Sequence, residues 1–150
     1  MTNANAHNSA KFEALKKHNL PADQYAITGS GPLGIRNLRE IGDIDIIVTQ
    51  KLWDELAEKY GVTVTDAVNK IVFAGDNIEA FRNYHQGPLN AEQKFHDAPS
   101  IAERIAAAEI IDGLPFESLK HFLYYKRKMA RDKDLKDVLA IETWLKNKPR

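Results

Sequence analysis

The sequence predicts an α/β (α+β mixed) fold: a mixed β-sheet covered by helices, ending in a helical tail. Three observations predict it. Helix-like and strand-like patterns come in the order αβαβα, then strands in a meander, then helices, which suits a mixed sheet covered by helices. The run Asp43-Ile44-Asp45-Ile46-Ile47-Val48 is rich in β-branched residues and begins with strict alternation, as a strand does. The chain has 150 residues, 43% hydrophobic and 28% charged. Such a chain buries roughly 70% of its unfolded surface without help from disulfides or metal. One domain over residues 1–150 is expected.

The first ten residues are small and polar, and a flexible leader is expected there. Phe12 and Leu15 start a helical pattern that ends near Asn19, with Pro21 just beyond. Tyr25 to Thr28 reads as a short strand, broken by Gly29-Ser30-Gly31-Pro32. Pro32 suits a first helical turn, where its missing N–H is no loss. Leu33, Ile35, Leu38 and Ile41 would form that helix's buried side, and Gly42 its stop. After the Asp43–Val48 strand, Thr49 can cap a helix from Gln50 to Tyr60, and Gly61 can close it. Val62 to Thr65 reads as a further strand. Ile71 to Phe73 and Ile78 to Phe81 flank a hairpin turn at Ala74-Gly75-Asp76-Asn77.

Residues 82–99 read as a long loop. Ser100 and Glu103 match a capping box, which starts a helix running to about Glu109. Ile110-Ile111 and Leu114 to Phe116 flank an Asp112-Gly113 turn. The tail, residues 117–150, holds two helices. Ser118 starts one that runs to about Ala130. Asp132 is expected to cap the other, with Leu135, Val138, Leu139, Ile141 and Leu145 as its apolar stripe.

Composition removes several function classes. There is no cysteine, so disulfide scaffolds, cysteine nucleophiles and thiolate metal sites are excluded. Twenty-one basic and 21 acidic residues cancel, which argues against broad non-specific nucleic-acid binding. No secretory signal or membrane-spanning run is visible, so a cytoplasmic location without membrane partners is expected.

Residues two apart on a strand share a face, so Asp43 and Asp45 are neighbours, with Ile44 and Ile46 turned the other way. At an effective dielectric near 20, charges about 4–6 Å apart repel by roughly 3–4 kcal/mol. Solvent, a proton or a cation must relieve that. With oxygen ligands only, the fitting cation is Mg²⁺-like. Twelve residues ahead of Asp43-Ile44-Asp45, Gly29 and Ser30 form a turn between strand and helix, where backbone N–H groups can approach a phosphate. Arg36 and Arg39 lie on that helix and could reach anionic oxygens or pair with Glu40 or Asp43.

The stretch Ile27-Thr28-Gly29-Ser30, the helix after it, and Asp43-Ile44-Asp45-Ile46 resemble the signature of the nucleotidyltransferase superfamily, the DNA polymerase β-like fold. That family usually adds a third carboxylate on a later strand. Glu79 in Ile78-Glu79-Ala80-Phe81 fits, with Asp76 as a rival better suited to its turn. Leu114-Pro115-Phe116, Ser118-Leu119 and Lys133 to Asp137 are similar to the helical tail of small bacterial nucleotidyltransferases, including those of toxin–antitoxin pairs. The resemblance implies Mg²⁺- or Mn²⁺-dependent transfer of a nucleoside monophosphate from a nucleotide triphosphate such as ATP to a hydroxyl acceptor. It implies Asp43, Asp45 and Glu79 as catalytic residues and metal ligands, Glu79 otherwise serving as base. Gly29 and Ser30 would hold phosphates, joined by Arg36 and by Lys126 of the basic run Lys126 to Lys133. The acceptor, whether a small molecule, a protein side chain or an RNA end, is left open, as is a partner protein or homo-oligomer that helps to bind it.

Gly31-Pro32-Leu33-Gly34 departs from the family pattern. That departure keeps two alternatives in view: an inactive nucleotide- or protein-binding module of the same fold, and a metal-dependent phosphodiester hydrolase. The basic run has a plain reading as a solvated face, in which Lys133 pairs with Asp137. His85 and His96 read as surface residues, Trp53 as a packing anchor, and Tyr84 as a residue able to stack on a base.

Overall fold

The computed structural model describes residues 3–65, 69–82 and 99–148. The loop expected at 82–99, with Tyr84, His85 and His96, lies almost wholly outside them. Among these described residues, six helices and seven strands follow one another: α1 (Asn3–Lys16), β1 (Tyr25–Thr28), α2 (Gly31–Gly34), β2 (Ile44–Val48), α3 (Gln50–Tyr60), β3 (Thr63–Val64), β4 (Asn69–Phe73), β5 (Ile78–Phe81), α4 (Ile101–Ala106), β6 (Glu109–Ile111), β7 (Leu114–Phe116), α5 (Leu119–Met129) and α6 (Asp132–Asn147). The strands make one sheet in the order β3-β4-β5-β2-β1-β7-β6. β2 runs parallel to β5 and β1 to β7, and the other neighbours are antiparallel, so the sheet is mixed as expected.

Alternation sorts the central strands onto two faces. Tyr25, Ile27, Ile44, Ile46, Val48, Ile71, Phe73, Ile78 and Ala80 belong to one core, closed by Phe12 and Leu15 of α1 and by Leu52, Trp53 and Leu56 of α3. Trp53 is thus a packing anchor. The opposite face carries Ala26 and Ile47, which pack on Ile105 of α4. Thr28, Asp45 and Glu79 share the parity of that second face. The tail helices α5 and α6 pack Phe122, Leu123, Val138 and Ile141 against Leu33 of α2.

Several boundaries differ from expectation. α1 begins at Asn3, so residues 3–10, expected as a flexible leader, are helical. The side chain of Asn8 is the reason visible in the structure. It is buried, accepts from Ile41 N–H at 2.9 Å and donates to the carbonyls of Arg39 (2.9 Å) and Gly34 (3.3 Å). α2 stops at Gly34 instead of running to Ile41. Asn37 takes a left-handed conformation (φ 59°), with Asn37 N–H on the Gly34 carbonyl and Leu38 N–H on the Leu33 carbonyl, a Schellman ending. α4 ends at Ala106, and Glu109 joins β6. The last helix is capped at Arg131, not Asp132, the Asp134 carboxylate accepting from Arg131 N–H. On α6, Val138 and Ile141 are buried, whereas Leu135, Leu139 and Leu145 are exposed, because the hairpin with α5 covers only one side.

Other local signals hold. Thr49 and Ser118 cap α3 and α5 through their hydroxyls, and Ser100 caps α4. Asp112 (φ 52°) and Gly113 (φ 80°) make the tight β6–β7 turn with two positive φ values. Among the described residues no helix is long and apolar enough to cross a membrane.

The unusual Gly31 has a packing role. A Cβ there would stand 2.2 Å from Ile27 Cγ2, so α2 lies directly on β1. Gly31→Ala should cost about 1–3 kcal/mol through overpacking. Gly42→Ala, where a Cβ would meet nothing within 4 Å, should change stability by less than about 0.5 kcal/mol. Thermal melts of the two variants check the contrast.

Candidate active site

Three strands set the site. Asp45 on β2 stands opposite Thr28 on β1 and beside Glu79 on β5, in register with both. Parallel pairing puts equal-parity residues of β2 and β5 on one face, so the two carboxylates are adjacent. Asp43 lies one residue before β2, in an exposed bend rather than inside the strand. It still lies close enough to act on Asp45 through its charge.

Asp45 is half-buried, and its carboxyl is pushed up to about 7. Burial is the main cause, followed by the charges of Glu79 and Asp43, with Lys70 opposing them. Gly29 explains part of the burial. It takes φ +64°, and a Cβ there would fall 2.8 Å from Asp45 Oδ2, so the carboxylate packs against bare backbone at the turn. Ser30 occupies the N-cap position of α2, yet its hydroxyl makes no capping bond. The Ser30 carbonyl is used, accepting from Leu33 N–H (3.1 Å) and Gly34 N–H (2.9 Å).

Lys70 on β4 is a site residue that the sequence reading missed. Its Nζ donates to Glu79 Oε1 at 2.8 Å. Val72 pairs directly with Glu79, so Lys70 is its diagonal neighbour on the same face. The hydrogen bond to Glu79 raises the lysine's affinity for its proton, aided by the charges of Glu79, Asp45 and Asp43. The signal was available: in a hairpin where Ile71 and Phe73 point to the core, Lys70 must share Glu79's face.

A buried polar network also went unread. Thr28 Oγ1 donates to Glu117 Oε1 at 3.0 Å, and Arg104 Nε donates to Glu117 Oε2. All three residues are fully buried. The Arg104 guanidinium sits 4.3 Å over the Tyr125 ring. This network fastens α4 and the end of β7 to the strand position opposite Asp45.

Other expected contacts go elsewhere. Arg36 donates to the Pro32 carbonyl at 2.8 Å, pairs with Glu109 at 3.4 Å and lies 5.1 Å over the Trp144 ring. Lys126 is buried and pairs with Asp137 (3.1 Å) and Asp134 (3.5 Å), joining α5 to α6. Both cations answer nearby carboxylates, and no described contact links either to Asp43, Asp45 or Glu79. Asp137, expected to meet Lys133, instead receives Lys126 and Arg39. Asp76, the rival third carboxylate, binds His18 Nε2 at 2.6 Å, beside Tyr60 and Phe73.

The donor set bears on a cation. Among the described residues no group of three or more His, Cys, Asp or Glu side chains is gathered to hold a metal ion. Mg²⁺ needs fewer: it keeps waters and takes one or two carboxylates plus phosphate oxygens of a substrate. A desolvated carboxylate beside two further acids offers hard oxygen donors whose repulsion a divalent ion would relieve, so Asp45 with Asp43 fits such an ion.

Comparison with protein-family models found no match, and comparison with curated proteins found none. Among solved structures, a Thermotoga maritima protein provisionally described as a nucleotidyltransferase aligns over 93% of this chain and 91% of its own, at 14% identity and a TM-score of 0.44.

Proposed function

We propose that this chain is a nucleotidyltransferase: it moves a nucleoside monophosphate from a nucleotide triphosphate to a hydroxyl acceptor, at the face that carries Asp45 and Glu79. The observation that supports this most is the register of those two residues on adjacent parallel strands, beside the Gly29–Ser30 turn. A Mg²⁺ or Mn²⁺ ion held by Asp43, Asp45 and substrate oxygens would neutralise charge at the phosphates. The backbone at Gly29 and the uncommitted Ser30 hydroxyl bind the β and γ phosphates. Glu79, on the same face, takes the proton of the acceptor hydroxyl. The acceptor oxygen then bonds to the α-phosphorus, the bond from that phosphorus to the bridging oxygen breaks, and pyrophosphate leaves. The protein contributes chiefly position and field.

The test is incubation with α-labelled nucleotide triphosphates, Mg²⁺ and candidate acceptors. Label transfer with equimolar pyrophosphate release, lost on chelation and reduced at least a hundredfold in Asp45→Asn, is expected. Transfer unaffected by Asp45→Asn sinks the assignment. Release of nucleoside monophosphate to water alone would instead favour a phosphodiester hydrolase. The Lys70–Glu79 ion pair favours one further reading, a binding module in which lysine stands where a cation is needed. Nucleotide binding that ignores divalent ions, without turnover, would support that module.

A further inference from the structure

A pocket lies between α4 and α5, away from the acidic cluster. Its cavity measures about 710 Å³, and Glu103, Lys120, His121, Tyr124, Arg127 and Lys128 line it. That volume suits a whole small molecule rather than a bare ion. Among the described residues three cations, Lys120, Arg127 and Lys128, line it with one carboxylate, although the chain as a whole is neutral. Arg127 is partly answered by Glu142 at 3.1 Å, and Lys128 lies 5.6 Å over the Tyr124 ring. Lys120 is exposed and has no ion pair among the described residues.

His121 gives the pocket a direction. Its Nδ1 is buried with no hydrogen-bond partner. An orphaned N–H in that place costs more than an orphaned lone pair, so the proton belongs on Nε2. Burial holds the ring's affinity for a second proton below the usual value. The ring therefore presents a neutral N–H donor at Nε2, which is neither buried nor bonded.

We propose that this pocket binds a phosphorylated small molecule of mononucleotide size, its phosphate received by Lys120 and the His121 Nε2–H, and its hydroxyl or amine donors by Glu103. A cationic rim with two kinds of phosphate donor, an aromatic wall and one acceptor carboxylate matches a molecule that is anionic at one end and hydrogen-bond donating at the other. The site does not depend on the acidic cluster, which lies on the sheet and calls for a divalent ion.

Calorimetry with adenosine 5′-monophosphate as probe, in chelator, tests it. The wild type and Asp45→Asn should bind alike. Lys120→Glu and His121→Leu should each weaken binding by about tenfold or more, with melts confirming that both variants fold. Absence of binding up to about 1 mM overturns the proposal. So does inorganic phosphate binding as tightly as the nucleotide, unchanged binding in both pocket variants, or loss of binding in Asp45→Asn. That last result would place the nucleotide at the acidic face and leave the transferase reading intact.

Discussion

Replacing Asp45 by Asn should raise stability at pH 8 in divalent-free buffer even as it abolishes transfer. The sign follows from burial. In the folded chain this carboxyl is raised to about 7, against an ordinary value of 3.8. Below the ordinary value the group is protonated in both states and costs nothing. Between the two values the unfolded chain ionises while the folded chain holds its proton, so wild-type stability falls as pH rises. Above about 7 both states are ionised and the full cost is present. A gap of this size corresponds to at most about 4 kcal/mol, and partial exposure with Lys70 nearby brings the expected gain to on the order of 2 kcal/mol. For a chain of this length that is roughly 4–8 °C in melting temperature. Near pH 4 the two proteins should melt together. Adding Mg²⁺ at pH 8 should raise the wild-type midpoint and leave the variant unmoved, since only the wild type offers the charged oxygen. Melting curves at pH 4, 6 and 8, with and without Mg²⁺, read all of this. A variant no more stable than wild type at pH 8 would mean that Asp45 is not electrostatically burdened, and the case for a cation there would go with it.

Which parts of this site the sequence announced depends on the range of the interaction. Alternation placed Asp45 against Ile44 and Ile46, and the Gly29-Ser30 break placed a turn beside it; both are local. That Glu79 lies in register with Asp45 required β5 to pair in parallel with β2, a contact across more than thirty residues that no local pattern encodes. The family resemblance supplied that expectation instead. Lys70 was readable from period two once the hairpin was recognised. The start of α1 was not: Asn-Ala-Asn-Ala-His-Asn has no apolar period, and Asn8 is buried only because α1 docks on the segment from Gly34 to Ile41. Arg36 and Lys126 were drawn towards phosphates because their partners, Glu109 on β6 and Asp134 and Asp137 on α6, come close only through the tertiary fold.

Glu117→Ala should be the most destabilising single change away from the acidic cluster. Glu117 and Arg104 are both fully shielded from solvent, and removing one partner leaves the other charge in a medium that solvates it poorly. The expected cost is about 3–5 kcal/mol, a large fraction of what a domain of this size has. Thr28 would also lose the carboxylate to which its hydroxyl donates. The structural consequence should be directional. β7 meets β1 through the Ile27–Phe116 pairing and through Glu117 N–H on the Ile27 carbonyl at 2.8 Å, so the β6–β7 hairpin joins the centre of the sheet right beside Glu117. Hydrogen exchange should quicken first in β6, β7 and α4, while β4 and β5 keep their protection. Replacing both charges by apolar residues of similar size, Arg104→Met with Glu117→Leu, should recover most of the loss, because no isolated charge remains. If the double variant restored stability but transfer stayed low, the pair would also matter for placing Thr28 against Asp45. If Glu117→Ala melted within about 1 kcal/mol of wild type, water or another group would have to answer Arg104, and Glu117 would not be what closes the polar network between sheet and helices.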